Sequence, residues 1–194
     1  MKTNIYSNTL KVKDALQIYF SRYHFANGGY DLKWFKIKVG FLYIPLPNVK
    51  VRIDAVKIHD IHHLVTEYEA TWQGETEIAA WEIASGCEKY TMAWLLNFGS
   101  FFIGMILYPR CLLRAFLRGR KCATNLYFQT NYDEVLLNKT LGELRKKIEI
   151  DSSKTISYKD YLFFAWCCLI ALCYHFAIIF VFFYSLYKIA VFLF

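Results

Sequence analysis

The chain has 194 residues with 23 Lys and Arg against 16 Asp and Glu, a formal net charge of +7, and 56% of its residues are hydrophobic. Since ordinary globular domains are about 45–50% apolar, this excess directs attention to membrane segments. No nucleic-acid reader motif occurs and the six cysteines form no C-x-x-C pair, which argues against nucleic-acid binding, a disulfide framework and a cysteine zinc site.

The first half of the sequence is divided into short elements. Residues 11–24 have apolar side chains at helical spacing and predict a first helix, which "ANGGYD" ends. The alternation "FKIKV" within residues 34–44 predicts an extended stretch that ends at "PLPN". Asp54 is placed to cap a second helix that runs to about Thr66. Two later helices are predicted, one from Glu75 to about Ser85 with Gly86 at its end, the other after a capping box of Thr140 and Glu143.

Residues 91–108 form the first strongly apolar run, 18 residues or about 27 Å of helix, which is borderline for crossing a bilayer. Ten Lys and Arg precede this region within residues 1–57, and eleven follow within residues 109–160. A crossing helix would leave strongly basic segments on both sides, which the positive-inside rule disfavours. The sequence therefore predicts a buried, interfacial or re-entrant helix here, with both basic segments cytoplasmic.

Residues 161–194 form the second apolar run, which carries Lys188 as its one charged residue. Its 34 residues give about 51 Å of helix against a hydrocarbon core of about 30 Å. Neither Gly nor Pro marks a turn within the run, so one long helix is favoured over a bend near Cys173. Residues 151–194 are thus predicted to anchor the chain in a membrane, after a helical domain of residues 1–150.

Residues 59–75 read "HDIHHLVTEYEATWQGE" and concentrate metal-ligand side chains. On a helix His59, His63 and Asp60 fall at about 0°, 40° and 100°, so one face presents two imidazoles and a carboxylate. Glu75 follows across a short linker and can supply a fourth ligand. Two nitrogen and two oxygen donors suit Zn²⁺, Mn²⁺ or Fe²⁺. Residues 58–90 also hold seven acids against one lysine, and a cation would balance them.

Two other metal patterns fit this cluster less well. The spacing H-x-x-H-H resembles one histidine box of membrane di-iron desaturases and hydroxylases, but such sites need about eight histidines and the chain has five. The zincin pattern H-E-x-x-H fails because Asp60 stands in the position of the glutamate. A hydrogen-bond network of acids and imidazoles without a metal is the simpler alternative.

The motif His59-Asp60-x-x-His63, with Glu75 after eleven further residues, resembles the signature of ubiquinone (coenzyme Q) biosynthesis proteins of the Coq-four type. Residues 117–150 resemble the basic helix, short loop and closing "LxELRxxL" helix of that family, so the resemblance covers roughly residues 9–150. It implies an all-α, membrane-associated domain in which these four motif residues bind a divalent metal. Zinc is the metal it favours, with iron and manganese as alternatives.

The same resemblance implies a role in building the quinone head group. Members organise the biosynthetic proteins, and some catalyse removal of the ring carboxylate and hydroxylation of that carbon on a prenylated precursor. The sequence therefore predicts a metalloprotein on the cytoplasmic face of a bacterial inner membrane, with membrane lipids, a prenylated quinone precursor and other quinone-biosynthesis proteins as partners. The alternatives are a non-catalytic lipid-binding scaffold and a membrane lipid hydroxylase.

Further side chains are assigned roles around this centre. His62 and Glu77 are the candidate proton carriers. Trp72 and Trp81 are candidate walls of a lipid groove, with core packing as the alternative. Four basic residues are predicted to form a membrane-surface face: Arg114, Arg118, Arg120 and Lys121.

Overall fold

A computed structural model describes residues 5–39, 42–122, 124–129, 131–148 and 154–193. In these ranges the chain is predominantly α-helical, as predicted, and one antiparallel hairpin accompanies the helices. The elements in chain order are α1 Val12–Tyr23, a 3₁₀ turn Ala26–Gly29, β1 Trp34–Val39, β2 Leu42–Pro47, α2 Lys50–Thr66, α3 Trp72–Ser85, α4 Thr91–Leu107, α5 Pro109–Lys121, α6 Leu126–Gln129, α7 Glu134–Leu137, α8 Leu141–Lys147 and α9 Tyr158–Leu193.

Helix α2 begins four residues before the predicted cap. The backbone amides of Arg52 and Ile53 donate to the carbonyl of Val49, which starts the helix without a capping side chain. Asp54 lies inside the helix, one turn after its start, where it accepts a hydrogen bond from the ammonium group of Lys50 at 2.5 Å. The prediction that Asp54 caps the helix was therefore wrong, because an i,i+4 ion pair occupies its carboxylate.

The carboxyl end of α2 is held by two arginines from later in the chain. Arg145 of α8 donates to the carbonyl of Leu64 at 3.0 Å, and Arg118 of α5 donates to the carbonyl of Thr66 at 2.9 Å. These carbonyls have no partner within the helix, and cations near a helix carboxyl end also complement its dipole. The two contacts fix the end of α2 beside the histidine cluster.

Helix α3 begins at Trp72, three residues before the predicted start at Glu75. The hydroxyl of Thr71 caps it by accepting from the amide of Gly74 at 3.1 Å. Gly74 lies in this helix, and a larger residue would not fit there. Its backbone passes so close to Glu69 that a Cβ would lie 1.9 Å from the Glu69 carbonyl oxygen. The sequence pattern had placed this glycine in a linker.

Helix α3 is the centre of the fold and separates two hydrophobic clusters. One cluster joins α1, α2 and the short helices α6 to α8, and Trp81 of α3 belongs to it. The other joins α3 to α4, α5 and α9. The contact of α3 with α5 is close because Gly119 has no side chain: a Cβ there would lie 2.5 Å from the carbonyl oxygen of Trp81. The capping box of Thr140 and Glu143 is present at the start of α8, as predicted.

Helix α4 packs on α3 and α9 through one face, where Ala93, Asn97, Phe101 and Gly104 are buried. Its 17 residues span about 26 Å, so it is shorter than a typical bilayer crossing. Its other side leaves apolar residues exposed near the carboxyl end of the helix, Ile106 and Leu107 among them.

Helix α9 runs unbroken over 36 residues, which confirms the prediction of one long helix. Within the described ranges it is the one helix long and apolar enough to cross a membrane. Its first half packs on the body, where Cys167 and Ala171 are buried and the ring of Phe164 lies 5.2 Å from that of Phe116. Its residues from Phe176 to Phe192 are exposed. The helix thus joins a packed half to a bare apolar half.

Candidate metal centre

His59 and His63 lie one turn apart on α2 and their rings meet. The Nε2 atoms of the two imidazoles are 3.1 Å apart, and the rings cross almost perpendicularly with centroids 4.7 Å apart. Tyr19 of α1 stacks on the ring of His63 at 5.5 Å. The helical spacing of the two histidines therefore produces the pairing predicted for them.

Glu75, in the first turn of α3, completes a triangle with these nitrogens. Its two carboxylate oxygens lie 3.5 Å from Nε2 of His59 and 3.3 Å from Nε2 of His63. One ligand atom from each residue lies within 4.8 Å of the other two. The His59, His63 and Glu75 side chains, here called the triad, thus converge from two helices on one point.

The second nitrogen of each ring shows which form the imidazoles take. Nδ1 of His63 lies 2.8 Å from the backbone carbonyl of Tyr68, and Nδ1 of His59 lies 3.0 Å from a carboxylate oxygen of Glu82. A carbonyl and a carboxylate only accept hydrogen bonds, so each Nδ1 carries a hydrogen. In the neutral rings both Nε2 atoms then present lone pairs to each other and to Glu75.

Three electron-pair donors that face one another need a positive charge between them. Around a tetrahedral zinc ion, with bonds of about 2.0–2.1 Å, neighbouring ligand atoms are about 3.3 Å apart. The two Nε2 atoms, 3.1 Å apart, are close to that separation, and each lies 3.3 to 3.5 Å from one of the two Glu75 oxygens. The side chains of His59 and Glu75 are 19% and 36% exposed, so a cation held here would be open on one side.

The pKa shifts of His59 and Glu75 also indicate that the triad needs a positive charge. Burial alone would lower the pKa of His59, but the carboxylates of Glu82 and Glu75 outweigh burial and hold it well above its ordinary value. Burial alone would raise the pKa of Glu75, but the adjoining His63 and His59 lower it well below its ordinary range. Without a metal, a proton on His59 therefore stands in the place of the cation.

Glu82 was counted only among the acids of its segment, and the structure makes it the partner of the triad. It is fully buried, and one carboxylate oxygen accepts from both His59 and His62, the latter at 2.6 Å. The other oxygen accepts from Asn97 at 2.6 Å and Tyr127 at 3.2 Å. The adjacent histidines hold its pKa low although burial raises it. A carboxylate behind a metal-binding histidine fixes the ring and strengthens it as a ligand.

His62 does not join the triad. It is fully buried, its Nδ1–H donates to Glu82, and its Nε2 accepts from the backbone amide of Leu126 at 3.1 Å. Burial lowers its pKa, which keeps the ring neutral. Both ring nitrogens are thus engaged inside the protein. Its predicted role as a proton carrier gains no support from this position.

Asp60 lies beside the triad and is not one of its three members. Its carboxylate is buried and accepts a hydrogen bond from the hydroxyl of Tyr30 at 2.5 Å. Burial raises the pKa of Asp60 even though the neighbouring His59 opposes that rise. The structure therefore gives Asp60 a protein partner next to the triad, while its role as a fourth ligand stays a prediction.

The remaining predicted residues are distributed around α3. Glu77 lies outside the triad and accepts a weak hydrogen bond from Gln73 at 3.4 Å. Trp72 is half exposed at the start of α3. Trp81 is buried in the core with its ring 5.0 Å from His62, so core packing, the alternative to a groove wall, is what the structure shows for it.

Two of the four predicted membrane-surface residues make internal contacts. Arg118 caps α2 and lies over the ring of Tyr68 at 5.1 Å. Arg120 donates to Asp160 at 2.8 Å and so ties α9 to α5. Arg114 is exposed and Lys121 partly buried. The basic helix α5 thus positions α2 and α9, whatever its surface also contacts.

Comparison with known proteins does not identify this site. No family model, curated protein sequence or solved structure matches the chain. The resemblance to the ubiquinone-biosynthesis family therefore stays a prediction, and the geometry of the triad carries the functional argument.

Proposed function

We propose that the chain is a membrane-anchored metalloprotein of the quinone-biosynthesis type, which holds one divalent cation through His59, His63 and Glu75. The observation that carries the proposal is the convergence of the two Nε2 atoms, 3.1 Å apart, with the two Glu75 oxygens, which lie 3.5 and 3.3 Å from them, while both Nδ1 atoms are tied to acceptors. When both rings are neutral the triad offers acceptors only, so a cation, or a proton on His59 in its place, must lie between them.

The donor set favours a catalytic over a purely structural metal. Structural zinc sites are closed by four protein ligands, while catalytic zinc sites use three, such as two histidines and a glutamate, and leave one position open. Two histidines and one carboxylate with open positions also bind non-haem iron in oxygenases. The partial exposure of Glu75 leaves room for a further ligand beside it. We therefore place zinc and iron ahead of manganese.

The proposed reaction removes a ring carboxylate from a prenylated hydroxybenzoate-like lipid and places a hydroxyl on that carbon, with an oxidant as co-substrate. The bound cation would supply Lewis acidity toward the ring carboxylate or the oxidant. Glu82 holds the ring of His59 in place, and Asp60 with Tyr30 offers a buried acid–phenol pair beside the triad for moving a proton. Helix α9 would keep the chain in the membrane where such a lipid is found.

The deciding experiment is the metal content per chain of detergent-purified protein. We expect close to one equivalent of zinc or iron in the wild type and a loss of metal in Glu75→Ala. Glu77→Ala is the matched control, because Glu77 lies two residues later on the same helix and outside the triad. Absence of stoichiometric metal from the wild type after purification and after metal reconstitution would contradict the proposal.

The lipid part of the proposal is tested separately in membranes. Cells that carry only Glu75→Ala should accumulate a prenylated aromatic acid that wild-type protein consumes, measured by mass spectrometry of lipid extracts. If the variant loses its metal and the pathway product still forms, the non-catalytic scaffold becomes the better account. Partner capture by the same variant would then distinguish a scaffold from an unrelated protein.

A further inference from the structure

Strands β1 and β2 form a hairpin in which several apolar side chains of the described residues are exposed. Its two strands pair with each other from Trp34 with Pro47 to Val39 with Leu42, and they pack little on the helices. Apolar residues that are exposed in and beside it are Leu32, Trp34, Ile44, Leu46, Val49 and Val51. By the strand register Trp34 lies on one face of the pair and Ile44 and Leu46 lie on the other, so both faces carry exposed apolar side chains. An isolated two-stranded hairpin is marginal in water, and exposed apolar side chains grouped in one element favour a contact surface.

The base of the hairpin is fixed firmly, so its extension is built into the fold. The side-chain amide of Asn48 donates to the carbonyls of Gly29 and Leu32 at 3.0 and 2.8 Å. Arg52 of α2 donates to Asn48 at 2.7 Å and lies 3.6 Å from the ring centre of Phe35. The hairpin is thus fixed where it joins α2, while Trp34, Ile44 and Leu46 are exposed.

The edge of β2 argues against another β-strand as the covering partner. Pro45 and Pro47 alternate along β2, and each removes a backbone donor from the same side of the strand. In a paired strand prolines occupy positions whose amide would point away from the partner, so they block strand addition at the outer edge. A partner that recognises side chains, not backbone, fits this edge better.

The basic residues in and around the hairpin favour an anionic surface as its partner. Residues 31–54 contain five basic residues, Lys33, Lys36, Lys38, Lys50 and Arg52, against two acids, Asp31 and the Asp54 that pairs with Lys50, so the stretch carries a net charge of +3. Apolar side chains mixed with Trp, Tyr and Lys are typical of elements that lie in the interface of a bilayer, and each basic residue near an anionic surface contributes about 1 kcal/mol. A chain that already carries α9 meets such a surface constantly.

We propose that this hairpin is a second membrane contact, which inserts its apolar side chains into the interface of an anionic bilayer. Tyr30, which precedes the hairpin, donates to Asp60 beside the triad, so one hydrogen bond links this region to the surroundings of the candidate metal centre. The membrane contact itself does not depend on a metal being bound.

The test is tryptophan quenching in the full-length chain, reconstituted in phosphatidylcholine and phosphatidylglycerol vesicles whose acyl chains carry bromine. The emission that disappears in Trp34→Phe is the Trp34 signal, and the other four tryptophans form a constant background. We expect brominated lipid to remove most of the Trp34 signal and aqueous acrylamide to reduce it little. The double variant Lys33→Glu with Lys36→Glu should weaken the quenching in anionic vesicles more than in neutral ones.

A matched pair of variants locates the effect. Ile44 and Ile18 are the same residue type with 45% and 47% exposure, the first in the hairpin and the second on α1. Ile44→Asp should reduce quenching of Trp34 by brominated lipid, and Ile18→Asp should leave it unchanged. Equal losses in both variants would overturn the proposal.

Two further outcomes would also overturn it. A Trp34 signal open to acrylamide and untouched by brominated lipid would mean that water covers the hairpin. A signal shielded from both quenchers would mean that protein covers it, either a second copy of the chain or another partner.

Discussion

The contact between α3 and α2 has an outer end and an inner end, and each end is marked by a glutamate of α3. Glu75 and Glu82 are two helical turns apart, and both contact His59. Glu82 at the inner end is fully buried and accepts hydrogen bonds on both oxygens. Glu75 at the outer end is partly exposed and faces the Nε2 atoms of His59 and His63. Identical side chains thus differ in environment, because Glu82 is surrounded by donors and Glu75 faces two ring nitrogens at a partly exposed position.

His59 connects the two ends. Its Nδ1–H donates to Glu82 inward, and its Nε2 points outward to Glu75. A carboxylate, a histidine and a metal in this order is the common arrangement behind catalytic metal sites. The comparison therefore assigns the inner end to stability and orientation, and the outer end to binding. Four measurements test that division.

The largest effect is expected at the inner end. Glu82→Ala leaves His62, Asn97 and Tyr127 buried without their shared acceptor, and removal of one partner from a buried charged network costs about 3–5 kcal/mol. Thermal unfolding of detergent-solubilised protein should show a fall in melting temperature on the order of 10 °C. A melting temperature equal to that of the wild type would remove the distinction between the two ends.

The outer end should respond to metal instead. Metal at a hundredfold excess over its dissociation constant should stabilise the wild type by about 2.7 kcal/mol, because it binds the folded state alone. Glu75→Ala should unfold near the temperature of metal-free wild type and gain nothing from added metal. Equal stabilisation of both proteins would place the metal elsewhere.

Asp60 tests the comparison further, because its expected role is intermediate between that of a metal ligand and that of a residue that supports a ligand. Since Tyr30 already occupies one of its oxygens, we expect Asp60→Asn to weaken metal binding about 10- to 100-fold without abolishing it. Competition with a fluorescent chelator measures this. Complete loss of binding, equal to that in Glu75→Ala, would show that Asp60 is a fourth ligand.

The smallest effect is a pH dependence of the metal-free protein. His59 has a raised pKa, so the stability it contributes is complete below 6.5 and is lost as pH rises through the folded value. Glu75 has a lowered pKa, so its contribution is present above 4.5 and is lost as pH falls. The stability difference between wild type and Glu75→Gln, from chemical denaturation, should therefore be largest between pH 4.5 and 6.5. A difference that grows steadily above pH 6.5 would contradict the charged pair.

The parts of the fold that the sequence predicted are those determined by local chemistry. Helical spacing predicts the pairing of His59 with His63, and the capping box of Thr140 with Glu143 appears as expected. Both depend on residues three or four positions apart, whose distance a helix sets by itself.

The parts it did not predict depend on contacts between distant residues. The sequence pattern predicts Gly74 in a linker, because no spacing rule predicts its close approach to Glu69. Glu82 was one acid among seven, and its seven-residue distance from Glu75 was the available signal that both share a face of α3. Which acid faces a histidine depends on how α3 packs on α2, and sequence spacing does not contain that information.

The unbroken course of α9 has a consequence for how the protein would meet a substrate. A helix without a hinge is a rigid rod, and its first half is packed on the body. In a bilayer such a rod would hold the triad at a constant height and orientation, so encounter with a lipid would become a search in two dimensions along one leaflet. Lateral diffusion, and not release into water, would then set how often the site is visited.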